Sequence, residues 1–147
     1  YVEVEAGMNG QLFEDRMQRD GLTLGHFPSS ITCSTVGGWV AARGAGQLSG
    51  RYGKIEDMVM ALEVVLPDGR LVRTPLAPKA ATGPDWNQLF VGSEGVLGVV
   101  TAVVFRLARL PDRRGFASFT FPTLAAAFAG IREGHVAITR KSCRAWY

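Results

Sequence analysis

The fold of this chain depends most on the stretch Gly92-Ser93-Glu94-Gly95-Val96-Leu97-Gly98, read together with Ser34-Thr35-Val36-Gly37-Gly38 earlier in the sequence. Each stretch is a glycine-punctuated turn beside an apolar run. Glycine at such points allows positive φ angles and lets a ligand approach main-chain N–H groups without a Cβ atom in the way. Two such turns predict a cleft lined by backbone donors, which is what a pyrophosphate-bearing cofactor requires.

The spacing of the later glycines argues against a nicotinamide site. They follow the pattern G-x-x-G-x-x-G, whereas the dinucleotide fingerprint is G-x-G-x-x-G and follows a strand instead of preceding one. On the glycines alone, a tight turn without a ligand is the simpler interpretation. The same alternative holds for Gly37-Gly38, because paired glycines also serve helix–strand packing.

The composition is that of a globular protein and gives no sign of a nucleic-acid partner. The chain has 147 residues, of which 47% are hydrophobic and 20% are charged. This length suits one ordinary domain with a core of useful size. The net charge of +3 comes from scattered basic residues, which usually solvate a surface. No apolar run reaches the length of a membrane span.

The pattern of apolar residues predicts an α+β fold with a mixed or antiparallel sheet flanked by helices. We expect a helix capped by Asn9 over residues 8–21 and another that begins near Val36. The turn Pro67-Asp68-Gly69-Arg70 predicts a hairpin. The predicted elements are a strand over Val2–Glu5, an extended piece over 22–27, strands over 58–66, 71–74 and 99–107, and a short helix from Asp85.

We expect two parts in the chain, residues 1–110 and residues 111–147. Residues 111–115 are typical of a linker. Beyond them we predict a strand over 116–121 and a helix over 123–131 with Thr123 as its cap, and we assign no structure to 134–147. Because the sequence opens in a strand without an initiator methionine, we expect it to be part of a longer protein.

The histidines and cysteines do not predict a metal site or a nucleophile. Neither His26 nor His135 has further ligands at metal-binding spacing, so we expect a partly buried, hydrogen-bonded His26, an exposed His135 and no metal. Cys33 has no visible base nearby, which favours a small buried filler. Cys33 and Cys143 are too few for a disulfide framework.

Four charged residues beside the turns have local interpretations. Arg43 either faces a phosphate or lies on the surface, and its spacing does not choose between them. Glu94 can cap the turn that follows it. Asp57 and Asp85 are typical of helix or turn caps.

Four motifs in order resemble one family, the FAD-linked oxidases of the vanillyl-alcohol oxidase and p-cresol methylhydroxylase type. The motifs are Ser34-Thr35-Val36-Gly37-Gly38, Arg51-Tyr52-Gly53, Pro67-Asp68-Gly69 and Gly92-Ser93-Glu94-Gly95-Val96-Leu97-Gly98. The resemblance implies that residues 1–110 are the second part of an FAD-binding domain of the p-cresol methylhydroxylase type. It implies that residues 111–147 begin an incomplete substrate or cap domain, with the substrate-side residues beyond Tyr147.

The resemblance implies that FAD is held largely by main chain, in three segments, and it names no catalytic residue. In such an enzyme the flavin supplies the chemistry and the protein supplies orientation. The implied FAD-binding residues are Ser29, Ser30, Ile31, Thr32, Cys33, Ser34, Thr35, Gly37, Gly38, Ala42, Arg43, Gly44, Ala45, Glu94, Gly95, Val96, Leu97, Gly98, Val99 and Val100.

Within this family, two details resemble the alkyldihydroxyacetonephosphate synthases of ether-lipid synthesis. Trp39 stands where D-lactate- and glycolate-oxidising relatives usually carry asparagine, and Thr82-Gly83-Pro84-Asp85 precedes the late glycine stretch. The implied reaction exchanges the acyl group of an acyl-dihydroxyacetone phosphate for a long-chain alcohol. An FAD-linked 2-hydroxy-acid dehydrogenase or oxidase and a non-catalytic fragment that binds no flavin are the alternatives.

The remaining expectations concern partners and location. The resemblance implies a small-molecule or lipid substrate, and it leaves a homodimer and peripheral membrane association open. The arginine-rich, lysine-poor composition suggests a bacterial source with a GC-rich genome, and we therefore expect a cytoplasmic, or membrane-peripheral, location.

Overall fold

The computed structural model of the chain describes residues 1–77, 81–113 and 118–143, with side chains described as far as residue 134. These residues fall into two compact units, Tyr1–Pro111 and Asp112–Tyr147. The assignment of residues 1–110 to part of an FAD-binding domain and of 111–147 to a linker and the start of a cap domain stays a prediction.

The first unit combines short helices with antiparallel strands, which confirms the predicted α+β class. Its helices are α1 (Gly10–Arg19), α2 (Val36–Ala41), α3 (Ser49–Tyr52), α4 (Ile55–Met58) and α5 (Asn87–Phe90). Its strands are β1 (Val2–Glu5), β2 (Leu22–Thr23), β3 (Val59–Val65), β4 (Leu71–Arg73), β5 (Val99–Phe105) and β6 (Ala108–Arg109).

The main sheet has the strand order β1-β5-β3-β4, and all its pairs are antiparallel. Val103 on β5 lies opposite Val4 on β1 and Leu62 on β3, and all three side chains are buried. Side chains alternate between faces along a strand, so this register puts one apolar row in the core. The Pro67–Arg70 turn joins β3 to β4 as predicted, with Gly69 at φ 82°.

Helix α1 has the predicted Asn9 cap, but it spans Gly10–Arg19 and is two residues shorter at each end than the predicted 8–21. The Asn9 side chain accepts hydrogen bonds from the N–H groups of Gln11 and Leu12, which caps the first turn. Phe13 and Met17, one turn apart, are buried against the sheet, and the Phe13 ring lies 6.2 Å from the ring of Phe105. The apolar stripe of α1 therefore closes one side of the core.

A buried carboxylate ties α1 to β2. Glu14 is 1% exposed, and it accepts hydrogen bonds from the Thr23 hydroxyl, the Leu24 N–H at 3.2 Å and the Gln18 side-chain amide at 2.9 Å. Strand β2 has only two residues and pairs with the equally short β6. The side chain of Glu14 thus supplies acceptors that so short a ladder cannot provide.

The second unit corrects one prediction and extends another. Residues 118–121 form no strand, and the rest of the predicted strand over 116–121 lies outside the described residues. Helix α6 spans Leu124–Cys143 and continues well beyond the predicted end at residue 131. Thr123 caps it as expected, because its hydroxyl accepts from the Ala126 N–H at 3.2 Å. Among the described residues, no helix is long and apolar enough to cross a membrane.

Candidate functional site

Helix α2 carries an exposed face of small side chains. Val36, Trp39 and Val40 are buried and fix the helix to the core. Thr35, Gly38 and Ala42, three and four residues apart, all lie on the opposite, exposed side. We call these three residues the small-residue face. No long side chain stands on this face, so a flat or extended ligand can approach the helix backbone.

The two glycines of α2 have different roles. A Cβ atom at Gly37 would lie 2.7 Å from the Cβ of Ala6, so this glycine permits the helix to pack beside β1. A Cβ atom at Gly38 would meet only the Thr35 hydroxyl, at 3.3 Å, and would otherwise point outward. Helix packing therefore explains Gly37 and leaves the exposed Gly38 free for close approach of a ligand.

The first predicted FAD segment, residues 29–35, is held in place just before α2. The Trp39 indole N–H donates to the Ser34 hydroxyl at 2.7 Å. The Asn9 side-chain amide donates to the Thr32 carbonyl at 2.9 Å, and the Gly10 N–H donates to the Ser34 carbonyl at 2.9 Å. Hydrogen bonds from α2 and from the start of α1 thus fix the conformation of this loop.

The structure joins the other two predicted segments, 42–45 and 94–100, at the far end of α2. The Gly92 N–H donates to the Val40 carbonyl at 2.9 Å, and the Glu94 N–H donates to the Ala41 carbonyl at 3.1 Å. The second bond satisfies the Ala41 carbonyl at the end of the helix, and the first adds a donor to the Val40 carbonyl, which also accepts from the Arg43 N–H at 3.2 Å. All three predicted segments therefore adjoin α2, one at its start and two at its end.

The exposed main-chain donors of these segments fit an anionic ligand. Within the described part of the chain, several of their amides donate to no protein acceptor. Such donors make charge-assisted hydrogen bonds to pyrophosphate oxygens. The free amides belong to Ser30, Thr32, Thr35, Ala45, Gly95 and Leu97, all of which are exposed.

The late glycine turn divides into an exposed part and a packed part. Gly95 has φ 86° and nothing within 4 Å of a built Cβ atom, and Val96 beside it is 79% exposed. Gly98 instead lies against β3, where a Cβ atom would sit 2.8 Å from the Val65 carbonyl oxygen. Residues 94–97 therefore form the ligand-accessible half of the turn, and Gly98 anchors it to the sheet.

His26 and Cys33 differ from their predicted environments. His26 is 1% exposed, and neither ring nitrogen has a hydrogen-bonding partner among the described residues, so the predicted satisfied hydrogen bond is wrong. Its ring meets the Trp39 ring edge-on at 4.8 Å. Cys33 is exposed and not a buried filler, because its loop lies outside the core. Sequence spacing does not report such differences, which depend on tertiary packing.

Burial of His26 has a consequence for the pH dependence of stability. Burial lowers the pKa of His26 to about 4, from 6.5. Between pH 6.5 and 4 the unfolded chain therefore binds a proton that the folded chain does not, and stability falls with falling pH by up to about 1.4 kcal/mol per unit. Urea unfolding at pH 7.5, 6 and 5 should show a steeper loss for the wild type than for His26→Gln. Parallel losses would contradict this.

Two features of the site escaped sequence analysis. Arg43 contacts Gln88, 45 residues away, with its Nη1 atom 3.1 Å from the amide oxygen. No local pattern predicts that contact. The small-residue face, by contrast, has a readable signal in the helical spacing of Thr35, Gly38 and Ala42.

Comparison with known proteins shows the family. Residues 1–75 match the family described as "FAD binding domain". The chain belongs to this family. Its cofactor is accordingly FAD, and the donor-rich, small-residue surface around α2 fits that group.

Individual relatives of this FAD-binding domain include synthases and a dehydrogenase. The chain is 41% identical over 136 residues to "Alkyldihydroxyacetonephosphate synthase" of Caenorhabditis elegans, covering 92% of this chain and 22% of the relative. It is 43% identical over 124 residues to "D-lactate dehydrogenase [cytochrome], mitochondrial" of Arabidopsis thaliana, covering 84% of this chain and 22% of that relative.

A solved structure of an alkyldihydroxyacetonephosphate synthase is also similar. It matches with a TM-score of 0.69 and 32% identity, over 76% of this chain and 20% of that one. The FAD-binding domain thus has the fold of the corresponding part of the synthase. The chain spans about a fifth of the length of the proteins it matches.

Proposed function

We propose that the protein containing this chain is an FAD-dependent alkyldihydroxyacetonephosphate synthase. The reaction exchanges the acyl group of an acyl-dihydroxyacetone phosphate for a long-chain alcohol, without net oxidation or reduction. The observation that carries the proposal is the joint similarity of sequence and fold to synthases of that name. When bound, FAD supplies the chemistry of such enzymes.

We assign to this chain the work of binding and orienting the flavin. The free amides of residues 30–35 and 95–97 donate to the pyrophosphate, and the small-residue face lets the cofactor lie close to α2. Trp39 supports this assignment, because its hydrogen bond to Ser34 fixes the first loop from the buried side.

A second candidate is an FAD-linked 2-hydroxy-acid dehydrogenase. The specific observation in its favour is the 43% identity to the D-lactate dehydrogenase of Arabidopsis thaliana. The same flavin-binding surface would serve both enzymes, since a fold can host several activities. The homodimer, the peripheral membrane association and the bacterial cytoplasmic location stay predictions.

Spectroscopy and two assays on the full-length protein separate these functions. The purified protein should carry a flavin spectrum and should turn over palmitoyl-dihydroxyacetone phosphate with hexadecanol. Bleaching of the flavin by D-lactate or glycolate, without that turnover, would favour the dehydrogenase. A colourless protein that takes up no added FAD would contradict both and favour a non-catalytic role.

A further inference from the structure

Arg43 is one of two residues other than glycine with a positive φ angle in the part of the chain that the structure describes. Its φ is 51°, and the second such residue, Glu94, has the same value. An L-residue pays conformational energy in this left-handed region, and such outliers persist where the surroundings enforce them. Both lie in predicted FAD segments, at the end of α2, so the strain is concentrated where those two segments meet.

The Arg43 side chain explains why glycine does not occupy this position. Its Nη2 atom donates to the Val91 carbonyl at 2.7 Å and to the Gln88 carbonyl at 3.3 Å, and its Nη1 atom donates to the Gln88 side-chain oxygen at 3.1 Å. Gln88 lies within α5, and Val91 is the residue that directly follows the helix. The guanidinium thus caps the carbonyl end of α5, where a positive charge is favourable.

Two further groups lie beside the guanidinium, although the Arg43 side chain is 40% exposed. A Cβ atom built on Gly92 would lie 2.8 Å from the Arg43 Nε atom, so the glycine backbone packs directly on the side chain. The Glu56 carboxylate lies 3.9 Å from Nη1. A phosphate ligand at Nη1 or Nη2 would have to compete with these carbonyl, amide and carboxylate oxygens for the same N–H groups.

We infer that Arg43 is a positioning residue that fixes the separation of segments 42–45 and 94–97, and that its guanidinium does not pair with the phosphates of FAD. The inference rests on the proposed flavin-binding role of those segments. The main-chain bonds from Gly92 to Val40 and from Glu94 to Ala41 set one end of the junction, and Arg43 sets the other. A cofactor that touches both segments needs their amides fixed to a fraction of an ångström.

Two substitutions in the full-length protein distinguish a positioning role of Arg43 from a phosphate-binding role. Arg43→Lys keeps the charge but cannot reach both the Gln88 and Val91 carbonyls in the same way. Arg43→Gly removes the side chain and relieves the left-handed backbone. If Arg43 is a positioning residue, both variants should weaken FAD binding to a similar extent, about tenfold. If Arg43 binds a phosphate of FAD, the lysine variant should keep near wild-type FAD affinity, and only the glycine variant should lose affinity.

Amide hydrogen exchange in the FAD-free protein gives a readout independent of enzyme activity. We expect the Gly92 and Glu94 amides to exchange faster in both variants than in the wild type. Arg70→Lys is the control, because Arg70 is an exposed arginine that pairs with Asp68 in the hairpin, and it should leave these exchange rates unchanged. Unchanged exchange at these amides, or a lysine variant with wild-type FAD affinity, would overturn the inference while leaving the proposed function intact. A wild-type protein that binds no FAD would overturn both.

Discussion

Replacing Gly95 by valine should lower the affinity of the full-length protein for FAD by about tenfold or more. Gly95 has φ 86°, which a β-branched residue adopts only with strain. It is exposed, and a Cβ atom placed on it would have no described atom beyond its chain neighbours within 4 Å, so a side chain there would occupy ligand space without a clash against the protein. Titration of the FAD-free protein with FAD, followed by flavin fluorescence, measures the change.

Gly69→Val is the matched control for this substitution. Gly69 has φ 82° and is equally open, but it lies in the hairpin between β3 and β4. Both variants carry similar backbone strain, so only the loss of cofactor contact should separate them. Equal FAD affinities for the two variants would count against the placement of the cofactor at residues 94–97.

Replacing Glu14 by alanine should lower the free energy of unfolding by about 3 kcal/mol, because it leaves buried donors without an acceptor. The hydroxyl of Thr23 and the N–H of Leu24 both lose their carboxylate oxygen in the interior. Glu14→Gln keeps one acceptor oxygen and should lose less. The midpoint of urea unfolding, followed by circular dichroism, gives the difference.

Asp15→Ala controls for changes in helix propensity at the neighbouring position. Asp15 is exposed and, among the residues that the structure describes, its side chain bonds only to Gln11 on its own helix, so its removal should cost less than about 0.5 kcal/mol. If the Glu14 and Asp15 variants unfold at the same urea concentration, the buried carboxylate does not hold β2 to α1.

Local chemistry predicted the regular parts of the fold well. Asn9 caps α1, and Pro67-Asp68-Gly69 forms the hairpin, because each feature is encoded within a few residues. The β2–β6 pair was not foreseen, since two-residue strands carry no period and the pairing joins Thr23 to Ala108. The short helices α3 and α4 were not predicted either, because four residues are too few to show a helical period.

The candidate site was predictable in outline and not in its supports. Glycines and small residues indicate exposed backbone, so the three predicted FAD-binding segments could be found from the sequence. The bonds that hold them, such as Arg43 to Val91, join residues brought together only by the tertiary fold. His26 and Cys33 were placed wrongly for a related reason, because burial depends on what packs above a residue and not on its neighbours in sequence.

The order of strands in the main sheet has a consequence for synthesis of the protein. Strand β5 lies between β1 and β3, yet it is made last of the three. While the ribosome is still translating residues before Val99, the strand that joins β1 to β3 is missing, and the β3–β4 hairpin exposes its inner edge. Because long-range pairing is slow to form, the unpaired strand edge is open to wrong pairing during this interval. A truncation after residue 75, where the family match ends, would leave that edge permanently open.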